Sequence, residues 1–135
     1  MSVGILILSH DGIGSSLLGT ALQMITGSPL HIVLLTIEKD SDPDGLLGRA
    51  RLLLEQLDSG AGVLILTDLY GSTPCNIARA CLTGDRVKAV AGLNLSMLVR
   101  VMNYPDLELA ELVEKAVSGG QEGVLQITAQ EPNAQ

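Results

Sequence analysis

The chain has 135 residues, 47% of them apolar and 17% charged, a balance that fits one compact domain with a proper core and excludes general disorder. A formal net charge of −7 and the absence of Trp and Phe argue against a nucleic-acid binder, which needs positive charge for phosphates and aromatic platforms for bases. No apolar run reaches the ~18–20 residues of a membrane helix, and MSVGILILSH lacks the basic start and cleavage site of a signal peptide, so a cytoplasmic protein is expected.

Short apolar runs alternate with helical patterns along the chain. VGILILS (3–9) is too short for a helix, is punctuated at once by glycines, and reads as a buried strand. From Gly12 to Thr26, Ile13, Leu17, Leu18, Ala21, Leu22 and Ile25 recur at helical spacing. HIVLLTI (31–37) reads as a second strand. Asp42-Pro43 then supplies a cap and a first-turn proline for a helix striped by Leu46, Leu47, Ala50, Leu53, Leu54 and Leu57. GVLILTD (62–68) reads as the third strand, and Thr73-Pro74 repeats the cap-then-proline signal before a helix ending near Gly84. VKAVAGL (87–93) reads as the fourth strand. Two helices follow, over 94–103 and 106–117, the second stopped by Ser118-Gly119-Gly120. GVLQI (123–127) alternates partially and reads as a fifth strand, at the sheet edge and antiparallel. The domain spans 1–128, and 129–135 form a polar tail. Cys75 and Cys81 match neither a zinc nor a CxxC spacing and read as buried free thiols in a reducing compartment.

The class that follows is α/β, doubly wound, with a mainly parallel sheet in the order 2-1-3-4. That order makes the first and third strands neighbours whose connections leave on opposite faces, so a crevice opens at their carboxyl ends. His10 and Asp68 stand at those ends. Adjacent strands lie ~4.8 Å apart, within reach of an imidazole–carboxylate hydrogen bond. A carboxylate on one ring nitrogen fixes the tautomer, leaves the lone pair on the other, and stabilises the cationic ring formed on attack at an electrophile. Ser72 and Thr73 add hydroxyls in the loop LYGSTP, although Thr73 also suits an N-cap. Backbone amides from Gly12 to Ser15 add partial positive charge. Nucleophile, orienting carboxylate and anion pocket together point to phosphoryl transfer through His10. His31 has no such company and reads as structural. HDGIGSS is not a GxGxxG, so a dinucleotide site is not expected. Neither a metal nor a cofactor is called for.

SHDG after the first strand, TDLYGSTPCNIA after the third, VAGLNLSMLV after the fourth and the late AVSGGQEGV resemble the IIA component of the mannose family of the sugar phosphotransferase system, EIIA-Man, over nearly the whole chain. The combination of D-x-x-G-S-T-P-x-N with G-x-N-x-x-M-L-V, in order and spacing, carries the resemblance. It implies a phosphotransferase whose His10 takes phosphate from phospho-HPr on Nε2 and passes it to a histidine of a IIB component. Asp68 would hold the Nδ1 side of the ring, and Thr73 would contact the phosphate. The resemblance also implies a homodimer, in some members with the last strand exchanged, attached to the membrane only through permease subunits. Ser72 stands where the family commonly has glycine, as does Asp11, whose carboxylate would repel a phosphorylated neighbour unless turned outward. The sequence ends soon after the predicted fold closes, so a free-standing IIA is expected. Such a component could drive sugar uptake or signal its phosphorylation state to partner proteins. A third reading is a receiver domain phosphorylated on Asp68. It is disfavoured because the first strand lacks the acidic pair that would hold magnesium.

Overall fold

A computed structural model of the chain describes residues 2–27 and 30–130. The elements run β1 (Gly4–His10), α1 (Ile13–Met24), β2 (Ile32–Ile37), α2 (Pro43–Leu57), β3 (Val63–Thr67), α3 (Thr73–Cys81), β4 (Val87–Ala91), α4 (Leu95–Met102) and α5 (Leu109–Glu122). The four strands form one parallel sheet in the order β2-β1-β3-β4, as expected.

The unbroken aliphatic run of β1 is explained by burial on both faces. Ile5 and Ile7 join Leu64 and Leu66 in one core layer against Ala21 of α1, Leu98 of α4 and Leu112 of α5. Leu6 and Leu8 join Ile65 in the other, against Ala50 and Leu54 of α2 and Ile77 of α3. Side chains alternate across a strand, so the central strands have no solvent face to spare for polar residues. Helices α1 and α3 therefore lie on opposite sides of the sheet.

The helix signals hold with two corrections. Asp42 caps α2 through Asp44 N–H (3.4 Å) with Pro43 first in the helix, as read. At α3, however, Ser72 is the cap, accepting from Cys75 N–H at 3.5 Å, and Thr73 is the first helical residue. The cap-then-proline rule misplaced the boundary by one residue because proline is accommodated anywhere in the first turn, where its missing N–H has no helical acceptor.

The second correction concerns the C-terminal segment. Ser118-Gly119-Gly120 does not stop α5, which continues to Glu122. Gly119 and Gly120 are where α5 meets α4: a Cβ would lie 2.6 Å from Arg100 Cβ at the first and 2.9 Å from Met97 Cε at the second. These glycines serve close helix packing instead of termination. The expected fifth strand is not formed, because residues 124–128 are irregular, with Val124 76%, Leu125 77% and Ile127 91% exposed. Once α5 has run to Glu122, only Gly123 remains to turn the chain, shorter than the usual two to six residues between helix and strand. Of the predicted polar tail, 129–130 are exposed turn, and 131–135 lie outside the described residues.

Away from the carboxyl ends of the strands, Asp58 ties the turn before β3 to the start of β4. It accepts from Gly60 N–H (2.9 Å), Gly62 N–H (3.0 Å) and the Arg86 guanidinium (2.6 Å). The Arg86 hydrogen bond, then the backbone donors, hold its carboxyl below the ordinary value. Cys75 and Cys81 are both buried and free, and burial pushes the Cys81 thiol up, which makes it a poor nucleophile. Among the described residues no helix is long and apolar enough to cross a membrane.

Candidate functional site

The carboxyl ends of β1 and β3 bring His10 and Asp68 together across 58 residues of sequence. One carboxylate oxygen, Asp68 Oδ2, takes two hydrogen bonds from the same residue: His10 N–H at 3.0 Å and the ring Nδ1 at 2.8 Å. A carboxylate only accepts, so this contact assigns the ring proton to Nδ1 and the lone pair to Nε2. The His10 side chain is 45% exposed and that of Asp68 only 10%, which leaves the ring reachable and the carboxylate shielded. Among the described residues Asp68 Oδ1 is buried without a hydrogen-bond partner.

Ser9, whose role the sequence did not reveal, fixes the strand end. Its buried hydroxyl donates to His10 O (3.2 Å) and accepts from Gly14 N–H (3.0 Å), tying the first turn of α1 to the residue before the histidine. Gly12 makes the intervening turn at φ +85°, a conformation that favours glycine.

His10 opens into a cavity of about 370 Å³ that it shares with Thr73 of α3 and with Ile37, Glu38, Lys39, Ser41 and Pro43 from the end of β2 and the start of α2. The structure thus groups His10, Asp68 and Thr73. Ser72 and Gly12 are outside that lining. The Ser72 hydroxyl is occupied as a cap and donates to Leu69 O at 2.6 Å. The amide of Gly14 in the α1 turn is taken by Ser9, and the cavity opens on the face that carries α2 and α3, away from α1. Asp11 is exposed, and its N–H donates to Ile37 O at 3.1 Å.

The segment after β2 went unnoticed in the sequence, although the strand order implied it. In a 2-1-3-4 sheet the second strand also borders the first, and Ile37 is the registered partner of His10. Leu69 and Tyr70 follow Asp68 and Ile13 follows the His10 turn, all three exposed, with the Arg79 guanidinium 5.7 Å over the Tyr70 ring. Large apolar side chains left in water beside a half-exposed histidine form the kind of patch a protein partner covers.

A sequence profile of the EIIA-man family, described as PTS system fructose IIA component, matches residues 4–117. The PTS system mannose-specific EIIAB component of Escherichia coli K12 is 31% identical over 132 residues, covering 96% of this chain and 41% of its own length. The chain thus spans about two fifths of that relative. The mannose/sorbose-specific IIA subunit of the phosphotransferase system from Enterococcus faecalis superposes with a TM-score of 0.82 at 26% identity, covering 98% of this chain and all of that one. The PTS IIA protein associated with the fucose utilization operon of Streptococcus pneumoniae superposes at 0.75 with 28% identity, covering 93% and 96% of the two chains. With the family profile matched over most of its length, the chain belongs to the EIIA-man family of phosphotransferase-system IIA components.

Proposed function

We propose that the chain is a phosphohistidine carrier that accepts phosphate from phospho-HPr on His10 Nε2 and passes it to a histidine of a IIB component. The observation that carries this reading is the 2.8 Å contact between Asp68 Oδ2 and His10 Nδ1, which leaves Nε2 as the nucleophile of a half-exposed ring. In the transfer, the Nε2 lone pair forms the new N–P bond. The bond from phosphorus to the donor histidine breaks, and its electron pair stays on the donor nitrogen. The His10 ring keeps its Nδ1 proton and becomes cationic opposite the Asp68 carboxylate. Onward transfer reverses these changes. Thr73 lines the same cavity, and its hydroxyl would donate to the phosphoryl oxygens. HPr and IIB would dock in turn over Leu69 and Tyr70. A receiver role for Asp68 is disfavoured by its burial and by the double engagement of Oδ2.

The nature of the phosphorylated bond tests the assignment. Incubated with phosphoenolpyruvate, enzyme I and HPr, the protein is expected to take label that is lost in acid and survives base. Label that is lost in base would transfer the acceptor role to a carboxylate and refute it.

We further propose a homodimer in which residues 124–127 of each subunit lie against the other's β4. Among the described residues β4 pairs in the sheet only with β3, and the exposed Val124, Leu125 and Ile127 follow a connection too short to return to their own edge. Such a segment reaches a neighbour's edge at little cost. Sedimentation at micromolar concentration should give a dimer, and Leu125→Lys should shift it toward monomer. A monomeric parent chain would remove the proposal.

A further inference from the structure

We propose that Lys39, in the loop between β2 and α2, is a phosphate-binding residue of this site, its ammonium held against the phosphoryl group on His10. This inference rests on the reading of His10 as the phosphoacceptor and adds a residue from an element outside the histidine, aspartate and threonine motifs.

The placement of Lys39 follows from register. Ile37 ends β2 opposite His10, and Asp11 N–H donates back to Ile37 O, so the residues after Ile37 emerge beside the imidazole. The turn is closed from both ends: Ser41 N–H donates to Glu38 O (3.1 Å), and Glu38 N–H donates to Ser41 Oγ (3.0 Å). Lys39 therefore sits at the tip of a fixed turn, and it lines the same cavity as His10 and Thr73.

Charge explains why a cation matters there. Glu38 shares the lining, and Asp11, Asp40, Asp42 and Asp44 lie on the adjoining segments of a chain with net charge −7. The phosphoryl oxygens bring roughly −1.5 to −2 more, offset only in part by the cationic ring. Lys39 is the one lysine or arginine in the lining, and among the described residues it has no ion pair or hydrogen bond. A free ammonium with three donors on a flexible stem is suited to a tetrahedral oxyanion, which it meets as a point charge. Bound this way it stabilises the phosphorylated form over the free one, and so raises the fraction of chain charged at a given donor potential.

The test is an equilibrium. At a fixed ratio of phospho-HPr to HPr, maintained with phosphoenolpyruvate and enzyme I, the phosphorylated fraction of each variant is read by mass spectrometry. Lys39→Met should lower the exchange equilibrium constant about three- to tenfold, in keeping with a partly exposed charge pair, and Lys39→Arg should restore most of it. The gap should narrow as salt screens the pair. An unchanged constant in Lys39→Met overturns the inference, as does an Arg variant that falls as far as Met. A role confined to docking HPr would change the rate and leave this constant in place, and so also overturns it. Absence of label in the parent chain, or its persistence in His10→Ala, removes the phosphocarrier reading itself and the inference with it.

Discussion

A His10→Ala chain is expected to take no phosphate from phospho-HPr, and an Asp68→Asn chain to take it about 100- to 10,000-fold more slowly. The first outcome follows because the alanine has no lone pair to offer. The second depends on what Asp68 does for the ring. Asparagine fills the same space, so Leu66, Thr67 and the rest of β3 keep their places. Its uncharged amide, however, no longer offsets the positive charge that the ring gains on attack. It can also present N–H to Nδ1, which moves the ring proton to Nε2 and hides the lone pair from the donor. Rapid-quench measurement of label uptake checks both variants, with circular dichroism to confirm an unchanged fold. A wild-type rate in Asp68→Asn would show that the 2.8 Å contact only holds the strand ends together.

The other large effect is expected at Gly14, and it is one of stability. A Cβ there would lie 2.6 Å from Ser9 Oγ and 2.7 Å from Ile7 Cγ2, both on buried side chains too short to swing away. Gly14→Ala must therefore displace the Ser9 hydroxyl, weaken its 3.0 Å bond to the Gly14 amide, or shift α1 off the sheet. Overpacking of this kind costs about 1–3 kcal/mol, and loss of the hydrogen bond adds about 1 kcal/mol. For a domain of this size the melting temperature should fall by roughly 5–15 °C. Gly19 in the same helix is the internal control, since nothing lies within 4 Å of its Cβ position. Gly19→Ala should be neutral or stabilising by up to about 1 kcal/mol, through helix propensity alone. Equal melting temperatures for the two variants would contradict the packing argument.

Several functional features could be read without coordinates because they depend on local signals joined by one topological rule. The aliphatic runs ending at His10 and before Asp68 mark strands buried on both faces. Right-handed crossovers make those strands neighbours, and the pairing of an imidazole with a carboxylate follows. Ser72 and Thr73 were harder to separate. Either hydroxyl can cap a helix whose first turn holds Pro74, and only the path of the loop from Leu69 decided that Ser72 caps while Thr73 faces the cavity. Gly119-Gly120 was misleading for a related reason: glycine favours helix ends, yet it also permits two helices to touch, and the second use depends on a partner, α4, contributed by another stretch of chain. Lys39 gave no local signal at all, since IEKDSDPDG has the composition of any solvated loop.

The amino-acid sequence by itself thus determined the order and type of the four strands, the sheet order and the meeting of His10 with Asp68. Each of these follows from hydrophobic period, turn chemistry and the handedness of the connections. The tertiary structure alone decided that Asp68 Oδ2 lies 2.8 Å from His10 Nδ1, that Thr73 lines the cavity while Ser72 caps α3, and that a lysine from the β2–α2 loop lines the same cavity. Those features rest on distances of a few ångströms between side chains that are remote in sequence. Hydrogen bonding and packing set such distances only after the chain has folded.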